Sequence, residues 1–191
     1  MRMSRGLKAL LLGAALGAAS CGNPVVDVRI EALGGEREGV EPSEYHRPGQ
    51  PCVLCHGEYG GDEPLMTLGG TVFATLTQAG TDPLPVADVD IKLIDSFGEV
   101  YPPKGAAPLK TNCIGNFFVT KEQWDPGFPL TVEILCPPPS GRQKMATRIA
   151  RDGSCASCHF GERTQGSAGW VYCGEPGEVF PPIADSCAGK P

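Results

Sequence analysis

Hydrophobic and charged residues alternate most regularly in residues 86–95, Val-Ala-Asp-Val-Asp-Ile-Lys-Leu-Ile-Asp. In an extended chain the apolar positions share one side and the charged positions the other, with Val89, Ile91 and Leu93 opposite Asp88, Asp90 and Lys92. This period of two predicts an antiparallel strand with one face in a core and one face in solvent.

Four further segments predict strands. Residues 69–76, 111–119 and 130–135 are rich in β-branched or aromatic residues, and residues 99–101 return the chain after a turn at 96–98. Glycine and proline residues separate these segments. Short strands at this spacing predict a mainly β fold, an antiparallel sandwich of about seven strands.

Residues 1–20 have the pattern of a secretory signal, because Arg2, Arg5 and Lys8 precede an uncharged run of Ala, Leu and Gly. The run is shorter than the roughly 20 residues that a transmembrane helix needs. Residues 17–22 resemble the lipobox of bacterial lipoproteins, which implies lipidation of Cys21 and an anchor in the outer membrane. Cleavage by an ordinary signal peptidase, which would release a soluble periplasmic protein, is the alternative.

Residues 21–44 combine mixed charge with few large apolar residues, and they predict a tether between the lipid and the folded part. Within this segment, residues 25–30 alternate briefly and predict an edge strand. The 26 glycines and 19 prolines leave little room for long helices.

The formal charge of −6 becomes −9 when the three basic residues of the signal are removed (−6 − 3 = −9). Nucleic-acid binding is therefore excluded as a function class. An acidic surface favours a basic partner by electrostatic steering, although a solvated surface explains the composition as well.

Two Cys-x-x-Cys-His motifs carry the candidate chemistry, Cys52-Val53-Leu54-Cys55-His56 and Cys155-Ala156-Ser157-Cys158-His159. Each is a c-type haem attachment signature: the two thiols reach the two vinyl groups of one porphyrin, and the histidine ligates its iron. The sequence thus predicts two covalently attached haem c groups. A zinc site or redox-active disulfides are the alternatives, but zinc knuckles are rarely this far apart.

Axial ligands follow from the few histidines. His56 and His159 are the predicted proximal ligands, so His46 is the one histidine left for a distal position. At least one iron then has a methionine, another donor, a ligand from a partner chain or an open position, and Met145 is the candidate methionine in the second segment. Met66 is the other methionine outside the signal, and either methionine is equally explained as core filler.

Four cysteines remain after the haem motifs and Cys21, namely Cys113, Cys136, Cys173 and Cys187. This even number predicts two disulfides in an oxidising compartment. Among three connectivities, pairing of neighbours predicts Cys113 with Cys136 and Cys173 with Cys187.

The order of features in residues 67–137 resembles the carboxypeptidase regulatory-like, or prealbumin-like, family of β-sandwich modules. The matching pieces are Gly70-Thr71-Val72, the strand entry at 85–89, the turn at 95–98, Gly115-Asn116-Phe117 and the closing strand at 130–134. Modules of that family act as spacers or binding surfaces and carry no chemistry of their own.

The whole arrangement resembles small di-haem cytochromes in which Cys-x-x-Cys-His segments, here residues 45–66 and 138–191, flank an immunoglobulin-like core. The resemblance implies an electron-transfer relay whose partners are redox proteins of the cell envelope. A small haem enzyme with an open iron site, of peroxidase or nitrogen-oxide reductase type, is the first alternative. A disulfide-stapled interaction module without haem is the second.

Overall fold

The structure is a computed structural model, and it describes residues 23–36, 38, 40–75, 83–138 and 140–174. The predicted signal, Cys21 and Cys187 lie outside these residues. No helix in the described ranges is long and apolar enough to cross a membrane.

The segment with regular alternation forms the centre of the larger sheet, as strand β2 (Asp90–Ile94). Strands β3 (Val100–Tyr101) and β4 (Leu109–Lys110) pair with one side of β2, and β6 (Thr131–Leu135) pairs with the other. Strand β7 (Arg142–Lys144) extends the sheet beyond β6. All of these pairs are antiparallel. The predicted inward side is confirmed, because Val89, Ile91 and Leu93 are at most 2% exposed.

A smaller sheet has β1 (Met66–Phe73) at its centre. Strand β5 (Asn116–Thr120) pairs with β1 in antiparallel orientation, and β8 (Val171–Tyr172) pairs with it in parallel. Side chains from both sheets form one buried cluster, which includes Leu68, Val72, Phe117, Val119, Ile91, Leu93, Val132 and Ile134. The mainly β prediction is therefore confirmed as two sheets rich in antiparallel pairs around a common core.

The turn predicted between β2 and β3 is stabilised by a carboxylate. Asp95 Oδ1 accepts hydrogen bonds from the backbone N–H groups of Phe97 and Glu99, each at 2.8 Å. Gly98 has φ +84°, a left-handed conformation that other residues rarely adopt. The side chain and the glycine together return the chain into β3.

The edge strand predicted at 25–30 is wrong, because this stretch lies in helix α1 (Pro24–Ala32). Asn23 Oδ1 accepts hydrogen bonds from the N–H groups of Val25 and Val26, at 3.1 and 3.4 Å, and Pro24 occupies the first helical position. This N-terminal cap and the proline favour a helix more strongly than the short alternation favours a strand.

The predicted disulfide pairing is also wrong, since Cys136 pairs with Cys173, with 5.5 Å between their Cα atoms. The parallel pairing of β8 with β1 brings the residue after β8 to the end of β6, so neighbours in space are not neighbours in sequence. Cys113 is disulfide-bonded as well.

Candidate haem sites

The first Cys-x-x-Cys-His motif forms a single helical turn, α2 (Cys52–His56), which begins after Pro51. A helical turn brings residues three positions apart onto one side, so Cys52 and Cys55 lie near each other. Both thiols are free.

The second motif begins with a 3₁₀ turn, Cys155–Ser157, and continues into Cys158 and His159. The Asp152 carboxylate holds its start, accepting hydrogen bonds from Ser154 N at 2.8 Å and Ser157 Oγ at 2.6 Å. Cys155 and Cys158 are also free thiols. In this structure neither motif forms the internal disulfide of the redox alternative.

Both motifs pack against consecutive glycines of β1. A Cβ atom built on Gly69 would lie 2.9 Å from the Cβ of Cys52, and one built on Gly70 would lie 2.7 Å from both Cβ and Sγ of Cys155. Such contacts are too short for real carbon atoms, so only glycine permits this approach. A hydrogen bond from Val53 N to Ser154 Oγ, 3.2 Å, joins the motifs directly.

A cavity of about 400 Å³ lies beside the first motif, within the usual range of about 300–1,000 Å³ for small-molecule sites. Its lining includes Cys52, Cys55, His56, His46 and Met66. The imidazole centroids of His46 and His56 are 5.8 Å apart. The structure thus brings the predicted distal histidine to the first motif.

The two histidines of this cavity have nitrogens without a protein partner. His56 is 8% exposed, yet its Nδ1 makes no hydrogen bond in the structure. His46 Nδ1 lies against the backbone N and O of Ser43, which leaves Nε2 for another ligand. A buried imidazole nitrogen without a partner is costly, so the Nδ1 of His56 is an unsatisfied polar group at the wall of this cavity.

Helix α1 contributes to the wall of the first cavity. Its residue Ile30 and the following Leu33 line the cavity, as does Glu36. Arg47 fixes the loop in place, since its Nη2 donates a hydrogen bond to Gly34 O at 2.7 Å and its Nε pairs with Glu36 at 2.5 Å. The segment predicted as a tether is therefore part of the site.

The second cavity, about 260 Å³, lies beside the second motif. Its lining includes Cys155, His159, Met145, Trp170 and Tyr172. His159 Nδ1 lies 2.9 Å from Gly169 O, so an Nδ1–H donated to this carbonyl leaves Nε2 for a metal. The predicted candidate Met145 thus shares the cavity with His159. The predicted site residue Cys158 does not line this cavity, and its thiol is exposed.

Partial burial affects the first thiol of each motif, Cys52 and Cys155. It raises the pKa of Cys52 to about 11. The pKa of Cys155 rises to about 12, because burial and, secondly, the nearby Cys52 thiol disfavour the thiolate. Burial also raises the pKa of Cys55. In the folded chain these groups are therefore protonated, weakly nucleophilic thiols at neutral pH.

Several residues of the site were missed by the sequence reasoning. Gly69 and Gly70 were interpreted only as the opening of a strand, and Phe117, whose ring lies 3.2 Å from a Cβ built on Gly70, only as an aromatic strand residue. Phe117 lines both cavities. The sequence signal for a close approach was the glycine pair inside a strand pattern.

The two motifs line two different cavities. In the described ranges, no three His, Cys, Asp or Glu side chains lie close enough together to hold a metal ion. Comparison of the chain with protein-family models, with curated proteins and with solved structures finds no match.

Proposed function

We propose that this protein is a di-haem c-type cytochrome that relays electrons in the cell envelope. One observation carries the proposal: each of two Cys-x-x-Cys-His motifs lines its own cavity, the first with Cys52, Cys55 and His56 and the second with Cys155 and His159, and all four motif thiols are free. The haem groups would supply reversible one-electron chemistry of iron. The motifs pack on Gly69 and Gly70, so the two sites share a wall, as a relay between them needs.

The residues of the first cavity can provide both the attachment sulfurs and two axial nitrogens of a haem. In the first site Cys52 and Cys55 provide the thioether sulfurs, His56 the proximal nitrogen, and His46 a distal nitrogen across the cavity. The contacts of His46 Nδ1 with Ser43, which leave its Nε2 for a ligand, support this assignment.

In the second site Cys155 and His159 line the cavity and would provide one sulfur and the proximal nitrogen, while the exposed Cys158 would provide the other sulfur. Gly169 O orients the imidazole, and Met145 lies at the same cavity as the candidate distal ligand. A thioether ligand raises the reduction potential relative to a second imidazole. The first site would then have the lower potential, which gives electron transfer a favourable direction from the first site to the second.

The setting of this relay is the bacterial cell envelope. The signal-like residues 1–20 and the lipobox-like residues 17–22 support export and an outer-membrane lipid anchor at Cys21, with a soluble periplasmic form as the alternative. We assign the β core to the prealbumin-like type, as the scaffold that holds both sites. The partners are redox proteins of the envelope, and no substrate of its own is required.

The intact mass of the protein, produced with a cytochrome c maturation system, tests the proposal. We expect the mass of two haems on the mature chain, one haem on the C52S/C55S variant, and one on the C155S/C158S variant. The same chain produced without the maturation system is the control. A matured sample without added mass or Soret absorption would leave an exported, disulfide-stapled β protein.

Carbon monoxide distinguishes the relay from a small haem enzyme. The second cavity favours this alternative in one respect, because its described lining contains no histidine besides His159. A relay with both irons six-coordinate binds carbon monoxide poorly after reduction, whereas an open iron binds it readily. Binding of one equivalent by the wild type would shift the assignment to the enzyme.

A further inference from the structure

The charge of the chain is distributed unevenly between its two Cys-x-x-Cys-His segments. Residues 31–63, around the first motif, contain eight acidic and two basic residues, a net charge of −6. Residues 142–163, around the second motif, contain five basic and two acidic residues, a net charge of +3. A chain of net charge −6 therefore carries a basic region at one of its two candidate haem sites.

The basic side chains of this region are exposed: Arg142, Lys144, Arg148, Arg151 and Arg163. Arg142 and Lys144 pair with the Glu133 carboxylate, at 3.2 and 3.4 Å. Within the described residues the other three arginines form no ion pair, so their charge remains available to a partner.

Two of these arginines flank the second motif. Arg151 precedes Asp152, whose carboxylate is engaged by Ser154 and Ser157. The backbone of Arg163 lies 3.3 Å from a Cβ built on Gly169, the residue whose carbonyl holds His159. Exposed arginines therefore precede and follow Cys158 and His159 along the chain.

The second motif is also the more accessible one. Cys158 is exposed and His159 is half-buried, whereas the corresponding Cys55 is half-buried and His56 is buried; beside the second motif Phe160 is 45% exposed. An exposed aromatic residue near exposed charged residues in the chain is a feature that interaction surfaces share. Exchange of electrons with another protein requires a site near the surface, and this one meets that condition.

We infer that the surface around Cys158, His159 and Phe160, with Arg151 and Arg163 at its rim, is the docking face for an acidic redox partner. The inference rests on the proposed function. An acidic partner is repelled by most of this chain and attracted here, so steering selects the second site as its contact. One electron passes between this site and the partner, and the partner is correspondingly oxidised or reduced.

Paramagnetic probes that take no part in electron transfer test the surface itself. In the reduced holoprotein we expect hexacyanochromate(III), an anion, to broaden the amide signals of residues 148–163. The cation tris(ethylenediamine)chromium(III) should instead broaden signals of residues 31–63. In R151E/R163E the anion effect should be lost, while K104E/K121E, which changes the net charge equally at exposed sites elsewhere, should retain it.

Oxidation of the reduced protein by ferricyanide gives a second readout. Each ferricyanide takes one electron and becomes ferrocyanide. We expect the rate to fall as ionic strength rises, although protein and oxidant are both net anionic, and R151E/R163E to slow it about 3- to 10-fold at low salt. A rate that rises with salt, or broadening spread over the sandwich, would overturn the docking face. Absence of haem in the mass spectrum would instead overturn the proposed function.

Discussion

At the scale of single residues, the four motif thiols differ in their surroundings. Cys158 is exposed, whereas burial raises the pKa of Cys155 to about 12. Below its pKa a thiol becomes about tenfold more thiolate with each pH unit, and at pH 8 a thiol of pKa 12 is only about one part in 10⁴ thiolate. Within the second motif, we therefore expect the Cys158 sulfur to react with alkylating agents faster than the Cys155 sulfur.

Alkylation of the folded, haem-free chain checks this difference. We expect iodoacetamide to modify Cys158 first and Cys155 last at pH 8, and the Cys155 rate to rise about tenfold per pH unit up to pH 10. Peptide mass spectrometry gives the rates, and the urea-unfolded chain, in which the difference disappears, is the control. Equal rates in the folded chain would contradict the burial of Cys155.

His46 and Met66 line the same cavity and offer a matched pair of variants. We expect H46A to open one iron, so that the reduced protein binds one equivalent of carbon monoxide, whereas M66A should behave like the wild type. The reason is the 5.8 Å separation of the His46 and His56 rings across the cavity. The difference spectrum after carbon monoxide addition measures both variants. If M66A opened the iron instead, Met66 would be the ligand.

At the scale of secondary-structure elements, β1 determines where both motifs lie. The short turns of both motifs pack on this strand, whose two central glycines expose the backbone, and helix α1 packs against the turn of the first motif. Gly69 N donates a hydrogen bond to Gly153 O at 3.0 Å, which fixes the approach of the second motif.

Alanine substitutions measure the importance of that approach. In G70A the new Cβ would overlap with Cys155 at 2.7 Å, and we expect a loss of about 1–3 kcal/mol in the free energy of unfolding and reduced haem occupancy at the second site. G166A is the matched control, because nothing lies within 4 Å of its Cβ. Urea denaturation and intact mass provide the two readouts. An effect of G70A no larger than that of G166A would refute the steric role.

The strands were largely predictable because their signal is local. The alternation of residues 86–95 predicted that Val89, Ile91 and Leu93 lie in the core, and residues 96–98 predicted the turn, which the structure shows to be stabilised by the Asp95 carboxylate. Helix α1 was mistaken for a strand because six alternating residues are a weaker signal than the Asn23 cap.

The candidate sites were predictable only in part. Each motif spans five consecutive residues, so it can be recognised in the sequence without knowledge of the fold. The contacts with Gly69 and Gly70, the shared Phe117 and the Cys136–Cys173 disulfide depend on pairings between distant segments. No local pattern reports such pairings, which are set by the assembly of the two sheets.

At the scale of the whole molecule, the Cys136–Cys173 disulfide links the end of β6 in the larger sheet to the residue after β8 in the smaller one. It thereby holds β8, and with it Trp170 and Tyr172, beside the second cavity. Gln143 Nε2 of β7 donates a hydrogen bond to Cys173 O at 2.6 Å, a further tie between the sheets.

Removal of this disulfide should therefore lower the free energy of unfolding. It should also loosen the second site more than the first. The bonded residues are 37 positions apart, for which the chain-entropy model gives about 4 kcal/mol. We expect C136A/C173A to lose stability of this order in urea denaturation and to release the second site to solvent, seen as faster amide exchange at residues 168–172 than at 46–56. A non-reducing digest of the wild type is the control for the disulfide connectivity.

Recovery of a peptide that joins Cys113 to Cys136 would contradict the Cys136–Cys173 pairing. Equal amide exchange at both sites in the variant would contradict the role of β8 as a wall of the second cavity.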